Sequence, residues 1–156
     1  MRRTDIPVFS GRLDLAAAPI NPAWILEGNP RARNRMLWNS SDKTGFCMMW
    51  DCTAGKFNWI YDFDEVVHVI DGGVTVTGPN GVATTLAPGD VVLFPQGMTV
   101  HWHVERYVRK VAYCQHQLPE FVALPIRAWR KLKALFVRPA IVVKKATTPS
   151  GTHAHA

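Results

Sequence analysis

The chain has 156 residues, of which 47% are hydrophobic and 19% are charged, and its formal net charge is +6. This length and composition fit one globular domain with a single core and exclude a disordered chain. No segment approaches the roughly 18 apolar residues of a membrane-spanning helix, and the basic start has no apolar stretch behind it, so we expect a cytoplasmic protein without a secretory signal.

The charge is distributed unevenly along the chain. Residues 1–50 carry a net charge of +3, residues 51–105 carry −6, and residues 106–156 carry +9. A basic end can meet nucleic acid, anionic lipid or an acidic partner, although a solvated surface is the simpler interpretation. Nucleic-acid binding is not expected, because the Trp and Tyr residues lie mainly in the acidic segment rather than among the basic clusters.

Residues 1–45 are predicted to form an extended N-terminal arm. Four prolines discourage long helices there, and they are Pro7, Pro19, Pro22 and Pro30. Isolated apolar residues can anchor the arm, namely Ile20, Trp24 and Leu26. Because an exposed sheet edge tends to be covered, such an arm could pair with the sheet edge of a neighbouring subunit.

Residues 46–116 are predicted to form an all-β domain. Segments rich in Val, Thr and aromatic residues predict strands near 46–52, 56–61, 65–71, 73–77, 82–86, 90–94, 99–104 and 107–114. The turn sequence Gly78-Pro79-Asn80-Gly81 separates two of them, and no helical pattern intervenes. Strands at this spacing predict a closed jelly-roll barrel rather than alternating strands and helices.

Residues 117–156 are predicted to form a basic amphipathic helix and a frayed tail. Between residues 121 and 137 the apolar residues recur at helical intervals, and they are Ile126, Trp129, Leu132, Leu135 and Phe136. The apolar face of this helix could pack on the barrel wall or could contact a membrane surface. The three cysteines, Cys47, Cys52 and Cys114, have no metal-type spacing and are expected to be reduced thiols.

The spacing of Gly, Glu and Pro residues in the β-domain resembles the two sequence motifs of the cupin superfamily. The matching positions are Gly55, Glu65 and Gly72, followed by Gly89, Pro95 and Gly97. Within that superfamily the segment is most similar to small single-domain cupins, such as the cupin domain of (S)-ureidoglycine aminohydrolase and the ethanolamine-utilisation cupins. The resemblance implies a double-stranded β-helix and a homodimer, and one such barrel hosts many activities.

The residues that hold the metal in metal-binding cupins are mostly replaced here. By the spacing of the motifs, the three histidine positions fall on Trp59, Tyr61 and Val100, and Glu65 alone remains. One carboxylate cannot fix a divalent metal, so we expect a degenerate metal site and no cofactor. An alternative stays open, because a register shift of one residue would let Glu65, His101 and His103 form a three-ligand metal site.

Strand alternation predicts a cavity with one acidic group among aromatic rings. The predicted ligand pocket consists of Trp59, Val67, Val100 and Trp102, and the predicted catalytic residues are Glu65, Tyr61 and Lys110. A buried carboxylate needs a partner, which could be the Tyr61 hydroxyl, the Lys110 ammonium or a bound ligand.

This pocket predicts that a small nitrogenous metabolite, an amine or a ureido compound, is bound there, and hydrolysis of that metabolite stays open. Two other interpretations stay open. The aromatic side chains could simply fill the barrel. The protein could also be a non-enzymatic dimeric module that interacts through the helix at 121–137.

Overall fold

The computed structural model describes residues 6–10, 13–117, 121, 124–125, 128–129 and 132. This part of the chain is built from antiparallel β-strands, which confirms the predicted all-β fold. The strands are β1 (Ala16–Ala17), β2 (Ile25–Gly28), β3 (Ala32–Asn39), β4 (Gly45–Ile60), β5 (Asp64–Gly72), β6 (Val74–Thr77), β7 (Ala83–Leu86), β8 (Val91–Phe94) and β9 (Thr99–Gln115). A 3-10 turn at Pro22–Trp24 precedes β2.

Two long strands, β4 and β9, form the centre of the barrel and are shared by both of its walls. One wall runs in the order β1-β3-β4-β9-β5-β8, and the other joins β2, β4, β9, β6 and β7. The apolar core lies between these walls. Strands that pass from one wall to the other are how a jelly-roll barrel encloses a cavity.

The sequence pattern predicted two strands where the structure has one continuous strand, in both β4 and β9. The register between these strands shifts at Thr53 and Gly55, opposite Tyr107 and Val104 of β9. Such a bulge bends a strand without ending it, so both strands cross from one wall to the other. Pro30 packs directly on Gly55, where a Cβ atom would lie 2.8 Å from the proline ring.

The N-terminal segment is more ordered than predicted and pairs within its own chain. Strands β2 and β3 both hydrogen-bond to β4, and β1 pairs with β3. Of the three predicted anchors, Ile20 is buried and Trp24 packs on the core, but Leu26 is 57% exposed. The segment therefore covers an edge of its own sheet, and the division of the chain at residues 45 and 46 stays a prediction.

Two compact units are distinguished, Met1–Leu118 and Pro119–Ala156. In the second unit the structure describes six residues, Phe121, Leu124, Pro125, Ala128, Trp129 and Leu132, and all six have helical backbone conformation. The rest of the predicted helix at 121–137 and the predicted tail lie outside the described residues. Among the described residues, no helix has the length and apolar composition of a bilayer-crossing segment.

Candidate functional site

The inner face of the barrel is set by the alternation of side chains along β9. Val100, Trp102, Lys110 and Cys114 are all buried, as are the other even-numbered residues of β9 except Arg106, whereas the odd-numbered residues are partly or fully exposed. Side chains on a strand point alternately to its two faces, so these four project into the barrel. The structure thus has the register that the sequence predicted.

Residues from β5 and from the end of β4 complete the interior. Tyr61, Glu65 and Val67 are at most 4% exposed, as predicted for inward positions. Trp59 is only partly buried and packs edge-on against Trp24, with ring centroids 5.5 Å apart. Trp59 also contacts Trp50 and Phe57. It therefore belongs to an aromatic cluster that includes the N-terminal segment, which the sequence pattern did not predict.

Glu65 forms an ion pair with Lys110 inside the barrel. The Lys110 Nζ atom donates a hydrogen bond to Glu65 Oε1 at 2.5 Å, and each side chain is 5% exposed. The ammonium also lies over two indole rings, 5.0 Å from the Trp50 centroid and 4.8 Å from the Trp102 centroid. Of the three partners considered for the Glu65 carboxylate, Lys110 is the one that contacts it. The cation–π contacts with the two indole rings stabilise the charge of Lys110.

Two polar atoms in the same interior have no hydrogen-bond partner among the described residues. They are the Tyr61 hydroxyl and the Trp102 indole Nε1, both fully buried. Burial, and then the negative charge of Glu65, raise the pKa of Tyr61 well above its ordinary value, whereas the neighbouring Trp102 indole N–H, which is outside full hydrogen-bond geometry, lowers it. The hydroxyl therefore keeps its proton and can donate it to an acceptor. Buried polar atoms are rarely left without partners, so each one requires an explanation.

The two buried cysteines are thiols rather than thiolates. Burial, and then the charge of Asp51, raise the pKa of Cys52 to about 12. Burial, and then the charge of Glu65, also raise the pKa of Cys114 well above the ordinary value of a thiol. Because the thiolate is the reactive form of cysteine, neither residue is suited to be a nucleophile or a metal ligand at neutral pH.

The alternative prediction, a metal site formed by Glu65, His101 and His103, is wrong. His101 and His103 lie on the outer face of β9, opposite Thr77 and Thr75 of β6, while Glu65 is inside. Among the described residues, no group of three or more His, Cys, Asp or Glu side chains could hold a metal ion.

The inner positions of the expected metal site do not fit a divalent ion either. Trp59, Tyr61 and Val100 offer no imidazole or carboxylate, and Glu65 Oε1 already accepts a hydrogen bond from Lys110. The Lys110 ammonium thus supplies the positive charge beside Glu65.

An apolar cavity of about 450 Å³ opens at the mouth of the barrel. Its lining residues include Val76, Val92, Phe94, Met98 and Val100, with Asn80 as a polar lining residue. Phe94 connects this mouth to the interior, because its ring stacks on Tyr61 at 4.7 Å and lies 5.9 Å from the Trp102 ring. The volume is within the range of small-molecule sites, roughly 300–1,000 Å³.

Three residues of the site were not predicted from the sequence, namely Trp50, Phe94 and Cys114. Trp50 pairs with Lys110 and Cys114 pairs with Glu65 in the strand register. Such cross-strand neighbours are defined by pairing between distant segments, which no local pattern specifies. The roles predicted for Glu65, Tyr61 and Lys110 stay predictions.

Comparison with known proteins supports the cupin architecture. Residues 39–112 match the EutQ-like cupin domain family. A protein of unknown function of the DUF861 family from Pseudomonas syringae is 25% identical, with a TM-score of 0.62, over 67% of this chain and 45% of that chain. A cupin-like protein of Thermotoga maritima is 15% identical, with a TM-score of 0.54, over 68% of this chain and 81% of that chain.

The EutQ protein of Clostridium difficile is 20% identical, with a TM-score of 0.49, over 55% of this chain and 63% of that chain. The chain thus spans less than half of the Pseudomonas protein and less than two thirds of this EutQ protein. No curated protein matches the sequence.

The antiparallel barrel, the motif spacing and these matches show that the protein has a cupin-type fold. The similarity in sequence is to cupin domains of the EutQ and DUF861 type. The resemblance to (S)-ureidoglycine aminohydrolase stays a prediction.

Proposed function

We propose that the barrel binds a small neutral ligand with a carbonyl or ureido group, which enters through the apolar mouth. The observation that carries this proposal is the pair of unsatisfied polar atoms, Tyr61 Oη and Trp102 Nε1, near the Glu65–Lys110 ion pair. Leaving a buried polar group unpaired costs about 1–3 kcal/mol. A ligand atom that satisfies both groups would therefore bind favourably.

The hydrogen-bonding capacity of the two groups favours an acceptor. The indole N–H of Trp102 can only donate, and the Tyr61 hydroxyl keeps its proton because burial and Glu65 raise its pKa. A carbonyl oxygen with two lone pairs can accept from both donors. The Glu65 carboxylate has lone pairs beyond the one that Lys110 uses, and these can accept from the N–H of a ureido group.

The charge of the interior favours a neutral ligand over an amine. Lys110 already neutralises Glu65, and its ammonium is held over the rings of Trp50 and Trp102. A ligand ammonium would have to compete with Lys110 and would add an unpaired charge to a buried site, which is costly. Of the two predicted ligand types, a ureido compound therefore fits the site better than an amine.

The first test measures the ligand class directly. Alkylureas and short alkylamides are titrated into the full-length protein, with alkylamines of the same chain length as controls, and binding is followed by calorimetry or by ligand-observed NMR. We expect the ureas and amides to bind more tightly than the matched amines. Failure of every urea and amide to bind at millimolar concentration would contradict the proposal. Release of ammonia or amine in the same samples would report hydrolysis.

The second test removes one donor. Tyr61→Phe deletes the unpaired hydroxyl but keeps the ring that stacks on Phe94. We expect this variant to bind the best urea about tenfold more weakly, which corresponds to the ~1.4 kcal/mol of one hydrogen bond. The matched control is Tyr107→Phe, whose hydroxyl donates to Asp51 at 2.9 Å on the outer face of the barrel. Equal affinity of the Tyr61→Phe variant and the wild type would exclude the Tyr61 hydroxyl from the site.

A further inference from the structure

Arg106 is the exception to the alternation of side chains along β9. The other even-numbered residues from Val100 to Cys114 are buried, but the Arg106 side chain is exposed. The cause is the bulge between β4 and β9, where the register sets Glu105 and Arg106 against the single residue Ala54 of β4. A bulge of two residues against one redirects the side chains of the bulged strand. The bulge thus brings to the surface a guanidinium that would otherwise point into the core.

A cavity opens beside this bulge, on the outer face of the barrel. β9 pairs with β5 as far as Val108 and with β6 from His103, so residues 104–107 lie between two ladders. Gly72 and Gly73 carry the chain from β5 to β6 across this gap and line the cavity, and neither has a side chain that could fill it. The cavity has a volume of about 380 Å³, within the roughly 300–1,000 Å³ of small-molecule sites.

Two opposite charges line this cavity without a partner. Glu105 and Arg106 are both lining residues, and both side chains are exposed. Among the residues that the structure describes, neither side chain takes part in an ion pair or a side-chain hydrogen bond. Although they are adjacent in the sequence, they do not pair with each other. A carboxylate and a guanidinium that stay apart leave space for a ligand that carries the two complementary charges.

The neutral lining residues supply further hydrogen-bonding groups. Thr75 and Thr85 lie opposite each other on β6 and β7, and their hydroxyl oxygens are 3.2 Å apart. One hydroxyl donates to the other, which leaves one donor of the pair for a ligand. His103 pairs with Thr75 in the register and lines the same cavity, where its imidazole adds an N–H donor. The lining therefore has several donors for a ligand carboxylate and one carboxylate for a ligand ammonium.

We propose that this cavity is a second binding site, and that it binds a small zwitterion, a free α-amino acid. Arg106 binds the ligand carboxylate, because a planar guanidinium can form two parallel hydrogen bonds with a carboxylate. Glu105 binds the ligand ammonium. The zwitterion is neutral overall, as this pair of side chains is, so its binding leaves no charge unpaired. Val74 and Tyr107 also line the cavity and offer contacts to an aliphatic ligand side chain.

This site is independent of the proposed urea or amide site. Glu105 and Arg106 are on the outer surface, whereas the Tyr61 hydroxyl and the Trp102 indole are buried inside the barrel. The two sites also select ligands by different means. The interior offers two unpaired donors to a neutral carbonyl group, and the outer cavity offers one charge of each sign.

The first test compares three forms of one amino acid. L-leucine, N-acetyl-L-leucine and L-leucinamide are titrated into the full-length protein, and binding is followed by the NMR shifts of the backbone amides. Acetylation removes the ammonium charge of the ligand, and amidation removes its carboxylate. We expect leucine to bind at millimolar concentration, about tenfold or more tightly than either derivative, because each derivative leaves one side chain unpaired. The shifts should be centred on residues 72–75 and 103–107.

The second test removes the two charges of the protein one at a time. Glu105→Gln and Arg106→Gln keep the approximate size of each side chain, and we expect each variant to bind leucine about tenfold more weakly. In Glu105→Gln, N-acetyl-L-leucine should bind as well as leucine, since the ammonium then has no partner. The matched controls are Arg35→Gln and Asp62→Asn, which remove exposed charges outside the cavity and should bind leucine like the wild type.

Four results would overturn the proposal. The first is failure of leucine to bind at millimolar concentration, and the second is equal affinity of the wild type for leucine and for either derivative. The third is a Glu105→Gln or Arg106→Gln variant, shown by circular dichroism to be folded, that binds leucine like the wild type. The fourth is a set of amide shifts confined to the barrel interior, which would place leucine in the other site.

Discussion

At the scale of single residues, the Glu65–Lys110 ion pair dominates the interior. Both charges are almost completely buried, so each has lost most of its hydration. Their mutual attraction and the indole rings around Lys110 offset that loss. A pair of this kind adds little net stability, but removal of one partner leaves an uncompensated charge in the core.

The ion pair gives the first prediction. Lys110→Met should lower the free energy of unfolding by about 3–5 kcal/mol, because Glu65 is then buried without a cation. The double variant Glu65→Leu/Lys110→Met should recover most of this loss, since neither charge remains. Urea unfolding of the wild type, both single variants and the double variant measures the coupling. Equal stability of Lys110→Met and the wild type would show that the pair is not formed.

The unsatisfied hydroxyl of Tyr61 gives the second prediction. In the ligand-free protein, Tyr61→Phe should be as stable as the wild type or about 1 kcal/mol more stable, because it removes a buried group without a partner. Tyr107→Phe should be about 1 kcal/mol less stable, because it deletes a hydrogen bond to Asp51. Thermal unfolding of the two variants checks the opposite signs. A large loss of stability in Tyr61→Phe would mean that its hydroxyl is satisfied in the free protein.

The buried thiols give the third prediction, a loss of stability at alkaline pH. The folded-state pKa values of Cys52 and Cys114 are raised, that of Cys52 to about 12. Below the ordinary thiol pKa of about 8.5 both states are protonated, and the thiols do not penalise folding. As the pH rises above that value, the unfolded chain loses the protons first. The free energy of unfolding should then fall by up to about 1.4 kcal/mol per pH unit for each thiol.

This alkaline loss continues until the pH reaches the folded-state pKa. Urea unfolding at several pH values above and below the ordinary thiol pKa measures the slope, and the Cys52→Val variant is the control. The slope of Cys52→Val should be shallower than that of the wild type. Identical slopes would mean that Cys52 ionises equally in the folded and unfolded chain.

At the scale of the elements, bulges and turns determine how the strands meet. Asp51 of β4 shows the effect, because it accepts two hydrogen bonds from Arg33 of β3 and one from Tyr107 of β9. This network on the outer face fixes three neighbouring strands in register beside the bulge. Gly72 ends β5 next to the same region, and its φ of 70° is one that glycine adopts without strain.

Gly72 gives the fourth prediction. A Cβ atom at this position would overlap the carbonyl oxygen of Tyr107, so Gly72→Ala should cost several kcal/mol of stability. Gly81→Ala is the matched control, since Gly81 has a similar φ of 75° but nothing within 4 Å of the new Cβ atom. The control should lose only about 1 kcal/mol through backbone strain. Equal losses in thermal unfolding would show that the backbone conformation alone, without the steric overlap, determines the cost.

At the scale of the whole molecule, the barrel depends on two strands. β4 and β9 pair along almost their whole length, and β9 also pairs with β5 and β6. Opening either strand would break both walls at once. β7, in contrast, pairs with β6 alone among the described strands.

This topology gives the fifth prediction. The backbone amides of β9 that bond to β4 should be the slowest to exchange with solvent, and those of β7 should exchange faster by orders of magnitude. Hydrogen exchange measured by NMR on the full-length protein checks the order. Faster exchange in β9 than in β7 would contradict the assignment of β9 as the central strand.

Several properties of this protein were determined by the sequence alone. The spacing of Gly55, Glu65 and Gly72 and the regular alternation along residues 99–114 predicted the cupin barrel and the inward direction of Glu65, Val100 and Trp102. Local patterns are sufficient for this, because side chains alternate on any strand and glycine is required wherever the backbone turns sharply. The same alternation placed Lys110 among the possible partners of Glu65.

Only the tertiary structure decided which of these residues meet. Pairing in the barrel brought Lys110 to Glu65, excluded His101 and His103 from the interior, and placed Trp59 in the aromatic cluster with Trp24. It also joined β3 to the sheet of its own chain. These contacts link segments that are far apart in the sequence, and their register depends on bulges and on competition for burial across the whole barrel. No local window of sequence contains that information.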